Sequence, residues 1–418
     1  MTEPVRLSRA LRVALILMAG TVALAACSES DASVDWAGTV TDSAGVAIVQ
    51  NPATGLWADH EPWTLREELR IGESGGDRGY EFAQIGSIAV TSTGHIVVVD
   101  RQLMVLRVFD AEGRFVREIG SAGEAPGEFG RGMVDVFVGP GDTLIVPDVR
   151  NRRVQRFTLE GEYLDSSPID VASYRALRFR WNPGTGTGVG QLRPIGERAA
   201  GDPRDELRPV LADGSMGPPL LTLPAGGLLG PGGSLRYFTP EPVWEVSDSL
   251  TVLYAINSAY RIQRYDRQGN LRRVITMPHE NRPITERDIR AFFVYLDQAW
   301  LGNGVPPSRL PQNRSRVSFA EFFPAFYQFH LGPGGTLWVQ PVRPPGELSD
   351  EELERYNFIE DFGASDWDVF DPDGRFLGEV LMPPRFQPRT FAGDAIYGVA
   401  RDDMDVQYVV RLRIEGNG

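Results

Sequence analysis

Few side chains able to do chemistry stand at the spacing that chemistry needs. Four histidines (His60, His95, His279 and His330) are scattered without the His-x-His or His-Glu-x-x-His intervals that bring two imidazoles onto one face, which argues against a zinc centre. All 42 basic residues are arginines, so a Schiff-base lysine, a lysine general base and a P-loop lysine are excluded. The glycine-rich stretch Gly184 to Gly190 (GTGTGVG) is followed by no helix pattern; it lacks the setting in which such loops cradle phosphate and reads as a hairpin turn. Asp100 and Asp148 each end an apolar strand pattern (IVVVD, LIVPD) and read as acids that bond the loop after them. With 56 acidic residues against 42 basic ones, the net charge of −14 repels nucleic acid.

The elements that must position any site emerge from an internal repeat. Residues 93 to 120 (TGHIVVVDRQLMVLRVFDAEGRFVREIG) return from Gly141 as GDTLIVPDVRNRRVQRFTLEGEYLDSSP. The pattern recurs from Ser249, and in two pieces from Gly334 and Trp367. Each copy has a turn, an apolar strand, a loop, a strand ending in an aromatic (Phe109, Phe157, Tyr265, Phe370), a turn on Gly113, Gly161, Gly269 or Gly374, and a further strand. One more strand lies upstream of each copy, so the unit is four antiparallel strands. Weaker units at 174–223 and 386–415 bring the count to six. Leu65 to Gly72 (LREELRIG) reads like Phe115 to Gly120 and is expected to supply the missing outer strand of the last unit, closing the ring. The predicted fold is therefore all-β: a six-bladed β-propeller of four-stranded antiparallel blades, with small helical insertions on one face.

Antiparallel order puts the A–B and C–D turns on one face and the B–C and D–A connections on the other. The first set is tight; the long insertions, 279–323 and 345–364, fall in the second. The first insertion carries a helix with Thr285 as N-cap and an apolar stripe through Ile289, Phe292, Phe293, Leu296 and Trp300. A second helix is expected at Ser318-x-x-Glu321 and a third after Ser349. This long-loop face is expected to carry the binding rim.

The N-terminus has the pattern of a secretory signal: Arg6, Arg9 and Arg12, then an apolar run from Val13 to Ala26 that ends at the single cysteine, Cys27. The run falls short of the ~20 apolar residues of a permanent span. Leu24-Ala25-Ala26-Cys27 resembles the lipobox of bacterial lipoproteins, which implies lipidation of Cys27 after removal of residues 1–26, a tether over 27–36 and one propeller over 37–418. The mature chain would carry a charge of −16 and no cysteine for a disulfide. The expected address is the bacterial envelope, at the outer membrane facing the periplasm, with the membrane met through the lipid alone.

Residues 82 to 129 resemble an NHL-type repeat, and the mature chain resembles bacterial six-bladed propeller lipoproteins. The fold hosts lyases, lactonases, peptide binders and scaffolds alike, so the resemblance implies architecture more than activity. Lactonase-like relatives hold calcium through acids and an asparagine at the channel mouth, and the residues so implied here are Asp135, Asn182, Glu241 and Glu245. Trp244 beside them and Trp300 on the rim complete the candidate ligand-binding set. The first reading is a monomeric binding or scaffold propeller for a protein, peptide or glycan, with no cofactor and no catalytic residue assigned. The alternative is a metal-dependent hydrolase or lyase.

Overall fold

The computed structural model describes residues 36–416 except 60, 132–134, 170–172, 183–186, 196–203, 212–213, 226–233 and 248. The protein is a six-bladed β-propeller, with few helices. Blade one is Ile85–Val90, Ile96–Asp100, Val105–Phe109 and Phe115–Ile119, and blade two is Phe137–Val138, Leu144–Asp148, Arg153–Phe157 and Tyr163–Pro168. Blade three is Tyr174–Asn182, Thr187–Pro194, Arg204–Val210 and Leu221–Pro224; blade four is Pro242–Val246, Val252–Ile256, Arg261–Tyr265 and Leu271–Thr276. Blade five is Gln328–Leu331, Leu337–Gln340, Asp366–Phe370 and Phe376–Leu381. Blade six takes Phe386–Ala392, Ala395–Arg401 and Gln407–Glu415 from the C-terminal segment and Thr64–Ile71 from the N-terminal one, with Leu65 opposite Ile414.

The second strand of a blade is covered on both sides by neighbouring blades, which is why it reads as an unbroken apolar run. In blade one, Val97 and Val99 pack with Val136, Leu144 and Val146 of blade two. Ile96 and Val98, pointing the other way, pack with Tyr397 and Val399 of blade six. The C–D turns share a left-handed glycine at Gly113, Gly161, Gly269 and Gly374, at φ between 80° and 90°. The register shifts by one just before each of these turns, the signature of a bulged hairpin.

A hairpin outside the repeat, Thr39–Ser43 and Val46–Gln50, extends blade four by two strands, the second pairing parallel with Leu271–Thr276. Beyond it the buried Asn51 side chain donates to Gly374 O at 2.9 Å and accepts from Phe376 N at 2.7 Å, tying the segment to blade five.

Helices occupy the insertions. Glu286–Gly302 is capped by a reciprocal Thr285–Asp288 box, and Asp350–Glu354 by a Ser349–Glu352 box. The helix expected at Ser318-x-x-Glu321 is not formed; Val317–Phe319 is a short strand pairing parallel with Leu235–Tyr237. Pro324 leaves room for barely one helical turn there, too little to nucleate, and a β-favouring Val-Ser-Phe sequence takes the strand instead.

Asp100 and Asp148 are fully buried at the ends of second strands. Asp100 accepts from Ala83 N at 2.9 Å, Leu103 N at 3.1 Å and Gln102 N at 3.2 Å; Asp148 accepts from Gly130 N at 3.2 Å and Asn151 Nδ2 at 2.7 Å. Each carboxylate thus fastens the B–C loop and the segment before the inner strand to one point. Asp100→Ala strands these amides and is expected to lower the unfolding free energy by about 3 kcal/mol. Urea unfolding at an unchanged slope measures it, and a loss below about 0.5 kcal/mol would mean that the loop amides are satisfied by water.

Candidate functional site

The inner strands of all six blades enclose a central cavity of about 1030 Å³. Its polar layer takes one side chain from each blade in turn: Ser87, Asp135, Arg180, Glu245, His330 and Arg389. Above that layer the lining comes from A–B turns, among them Gly139–Asp142, Gly332–Gly335 and Gly393, so the cavity opens on the face of tight turns. This differs from the expectation that the binding mouth lies on the long-loop face. There, Phe238, Phe292, Phe323 and Phe362 are at most 4% exposed and pack on one another, with Phe238–Phe292 centroids at 4.9 Å and Phe238–Phe362 at 5.4 Å. The insertions spend their aromatic surface on a core of their own.

The layer is organised around Glu245. Arg178 and Arg180, two apart on the inner strand of blade three, project to the same side while Phe179 between them is buried in the blade interface. Arg178 Nη2 donates to Glu245 Oε2 at 3.1 Å, and Arg180 Nε donates to Glu245 Oε1. His330 Nδ1 lies 3.8 Å from Glu245 Oε2, and its ring stacks on Trp367 at 5.8 Å. Burial, together with the positive charges of Arg180 and Arg389, pushes His330 down to about 4 in spite of the nearby carboxylate, so its imidazole is neutral at neutral pH. The His330 Nε2 atom is buried without a hydrogen-bond partner.

The other candidates are dispersed. Asp135 lines the cavity and pairs with Arg101 at 3.3 Å. Glu241 stands before the inner strand of blade four, outside the cavity lining, where its N–H donates to Asn257 Oδ1 at 2.6 Å. Trp244 has no exposed surface; the strand's alternation turns it into the blade three–four interface, where its Nε1 donates to Gln191 Oε1 at 2.7 Å, which removes it from any ligand surface. Trp300 is half-buried against the aromatic core of the insertion, away from the cavity. Cys27 and the Asn182 side chain lie outside the described residues. Among the described donors, Glu245 and Asp135 are each engaged by arginine and Glu241 stands apart, and among the described residues no group of three or more His, Cys, Asp or Glu could hold a metal ion. Gly72-Glu73-Ser74-Gly75-Gly76 spells the nucleophile-elbow pattern, but it follows an outer strand and enters turns rather than a helix, far from the strand–turn–helix setting that pattern requires.

Residues 78–181 match the model of a family described as a six-bladed beta-propeller. The chain shares the propeller fold with solved bacterial structures. A member of the duf4221 family from Bacteroides vulgatus is 9% identical, with 85% of this chain and 99% of that one covered at a TM-score of 0.52. A putative exported protein from Bacteroides fragilis is 11% identical, with 88% and 100% covered at 0.48, and virginiamycin B lyase from Staphylococcus aureus is 10% identical, with 85% and 100% covered at 0.42. No curated protein matches the sequence. Among the described residues no helix is long and apolar enough to cross a membrane.

Two buried groups give the fold opposite pH dependences. Asp368, hydrogen-bonded by Tyr260 Oη at 2.7 Å, is pushed up by burial from 3.8 to about 6. Between those values the folded state binds the extra proton, so this group's contribution to stability falls as pH rises. His330, lowered from 6.5 to about 4, does the reverse: the unfolded state binds the proton first, and stability is lost as pH falls through that window. Each swing is on the order of 2–3 kcal/mol. Asp368→Asn is therefore expected to leave stability falling more steeply from pH 6.5 to 4, and His330→Phe less steeply, in urea midpoints measured across that range. Equal slopes in both variants would contradict the assignment.

Proposed function

We propose that this protein is a binding propeller of the bacterial envelope, exported by its N-terminal segment and held by a lipid on Cys27, with a peptide or glycan ligand in the central cavity. The observation that carries the reading is the cavity itself. At about 1030 Å³ it has the upper size of a small-ligand site, and its walls combine a few fixed polar side chains with turn backbone. Entry is from the tight-turn face, whose A–B turns form the upper lining of the cavity. The arginine-paired acids favour a ligand held by hydrogen bonds and charge over a metal-dependent reaction.

Thr390, on the inner strand of blade six, lines the cavity, and Thr390→Trp fills part of it from a position with room for a ring. Ligand carried through gentle extraction of the native protein from membranes, released by denaturation and identified by mass spectrometry, should be lost from Thr390→Trp while its melting temperature stays within a few degrees. Equal carriage by both proteins would move the binding site out of the channel. The anchor is tested separately: Cys27→Ser should shift the protein from the detergent to the aqueous phase on partitioning, and unchanged membrane association would overturn lipidation.

A further inference from the structure

The charge at the base of the channel is unlike that of the chain around it. The whole protein carries −14, yet Arg178 and Arg180 share a single carboxylate. Their exposure decides which sign a ligand meets. The Glu245 side chain is 8% exposed, whereas Arg178 and Arg180 are 31% and 29% exposed. Arg180 and Glu245 both line the cavity, and Arg180 is the more exposed of the two, so a ligand there meets the cation; Arg178 stands outside the lining, over the Trp244 ring. In Arg180, Nε is spent on Glu245 and Nη1 donates to Phe179 O at 3.2 Å, while Nη2 has no acceptor among the described residues. The arginine is thus fixed at one edge and open at the other, the geometry in which a guanidinium takes a second oxyanion. Asp135, the other acid in this layer, is already matched by Arg101 at 3.3 Å, and His330 contributes a neutral ring. Outer-surface charges farther than the Debye length of about 8 Å at physiological ionic strength are largely screened by salt.

We infer that the ligand of the cavity carries a carboxylate, the uronate of an acidic glycan or the C-terminus of a peptide, which docks on the open edge of Arg180. The inference rests on the channel reading above and adds the chemical class. A carboxylate there completes a ladder of alternating charge, Glu245, Arg180, ligand, without displacing an existing pair. Nearer the mouth Ser247 and Thr390 add hydroxyl-bearing wall suited to the uncharged remainder of such a ligand, and the acid there, Asp142, accepts from Ser92 N at 2.8 Å and Ser92 Oγ at 2.7 Å.

The test uses the full chain in detergent and titration calorimetry with four probes: trigalacturonic acid, its methyl ester, N-acetyl-trialanine and the amide of that peptide. One acid is expected to bind at least about tenfold more tightly than its neutral counterpart, with the preference weakening as salt is raised. Which acid binds separates the glycan from the peptide source. Arg180→Gln should abolish the preference, and Arg180→Lys, which keeps the charge, should retain part of it; melting curves of both variants report folding independently. Neutral probes binding as well as acids, or an undiminished preference in Arg180→Gln, would overturn the carboxylate inference while Thr390→Trp still blocked binding. Binding that survives Thr390→Trp would overturn the channel reading and this inference with it. Failure of both acids to bind at millimolar concentration would also overturn the inference.

Discussion

A ring of sheets leaves two free strand edges unless its ends are joined, and here the join is the antiparallel ladder between Thr64–Ile71 and Gln407–Glu415. Because the outer strand of blade six comes from the start of the domain, the chain before it must run around the outside of the ring. It does so as a belt. The hairpin 39–50 adds to blade four, Asn51 fastens the next residues to blade five, and Trp57 and Trp63, with centroids 5.1 Å apart, lead on to Trp338 at 6.1 Å. Closure is thereby spread over three blades, and the inner strands are held at a fixed radius, which a channel with preset side chains requires.

That fixity shows in how the arginines of blade three are held. A carboxylate as buried as Glu245 loses hydration that its ion pairs must offset, which demands good geometry from both partners. Arg178 lies over the Trp244 ring at 5.2 Å. Trp244 is in turn fixed by Gln191, whose Nε2 donates to the fully buried Asp205 at 2.8 Å, and Asp205 accepts from Arg193 Nε at 2.7 Å. A chain of polar contacts therefore runs from the outer part of blade three to the channel. Trp244 belongs to the site as a positioning residue, not as a surface a ligand touches.

This is also where reading the sequence reaches its limit. The repeat, its glycine turns and its unbroken apolar second strands follow from local chemistry, and they specify six blades because each signal spans only a few residues. The candidate site is different in kind. Its six side chains come from six segments between Ser87 and Arg389, and whether an inner-strand residue faces the channel depends on a register that one residue's slip inverts. Glu245 and Trp244 are neighbours that face opposite ways, so a list naming both was bound to be half right. The alternation in Arg178-Phe179-Arg180 was a usable signal: two arginines flanking a buried aromatic on an inner strand bring both charges to Glu245 and put Arg180 in the channel lining. The lactonase-like resemblance puts Asn182 of the same strand at the channel mouth but passes over the two arginines before it. The failed helix at Ser318 is a simpler case, in which a capping pattern was present without the length a helix needs.

The two faces of the ring divide the remaining work by connection length. An A–B turn such as Gly332–Thr336 reverses the chain with Gly334 and Gly335 at positive φ, and Gly139–Thr143 does so with Gly141 and Asp142. Turns this short hold few side chains that could fold inward, so the mouth they surround stays open by construction. The connections at the opposite face are long enough to carry helices, and a helix with an apolar stripe must bury it. Phe292 and Leu296 do so against Phe238, Phe323 and Tyr356, drawing both insertions into one body. The long-loop face therefore gains mass with most of its aromatic surface buried, Val294, Leu301 and Phe322 remaining exposed, and the tight-turn face, with almost no decoration, keeps access to the charged layer below. A ligand entering there passes turn backbone, hydroxyls and the Asp142 carboxylate that Ser92 holds before it meets Arg180, so its neutral part is sorted by shape at the rim and its charge by the arginine beneath.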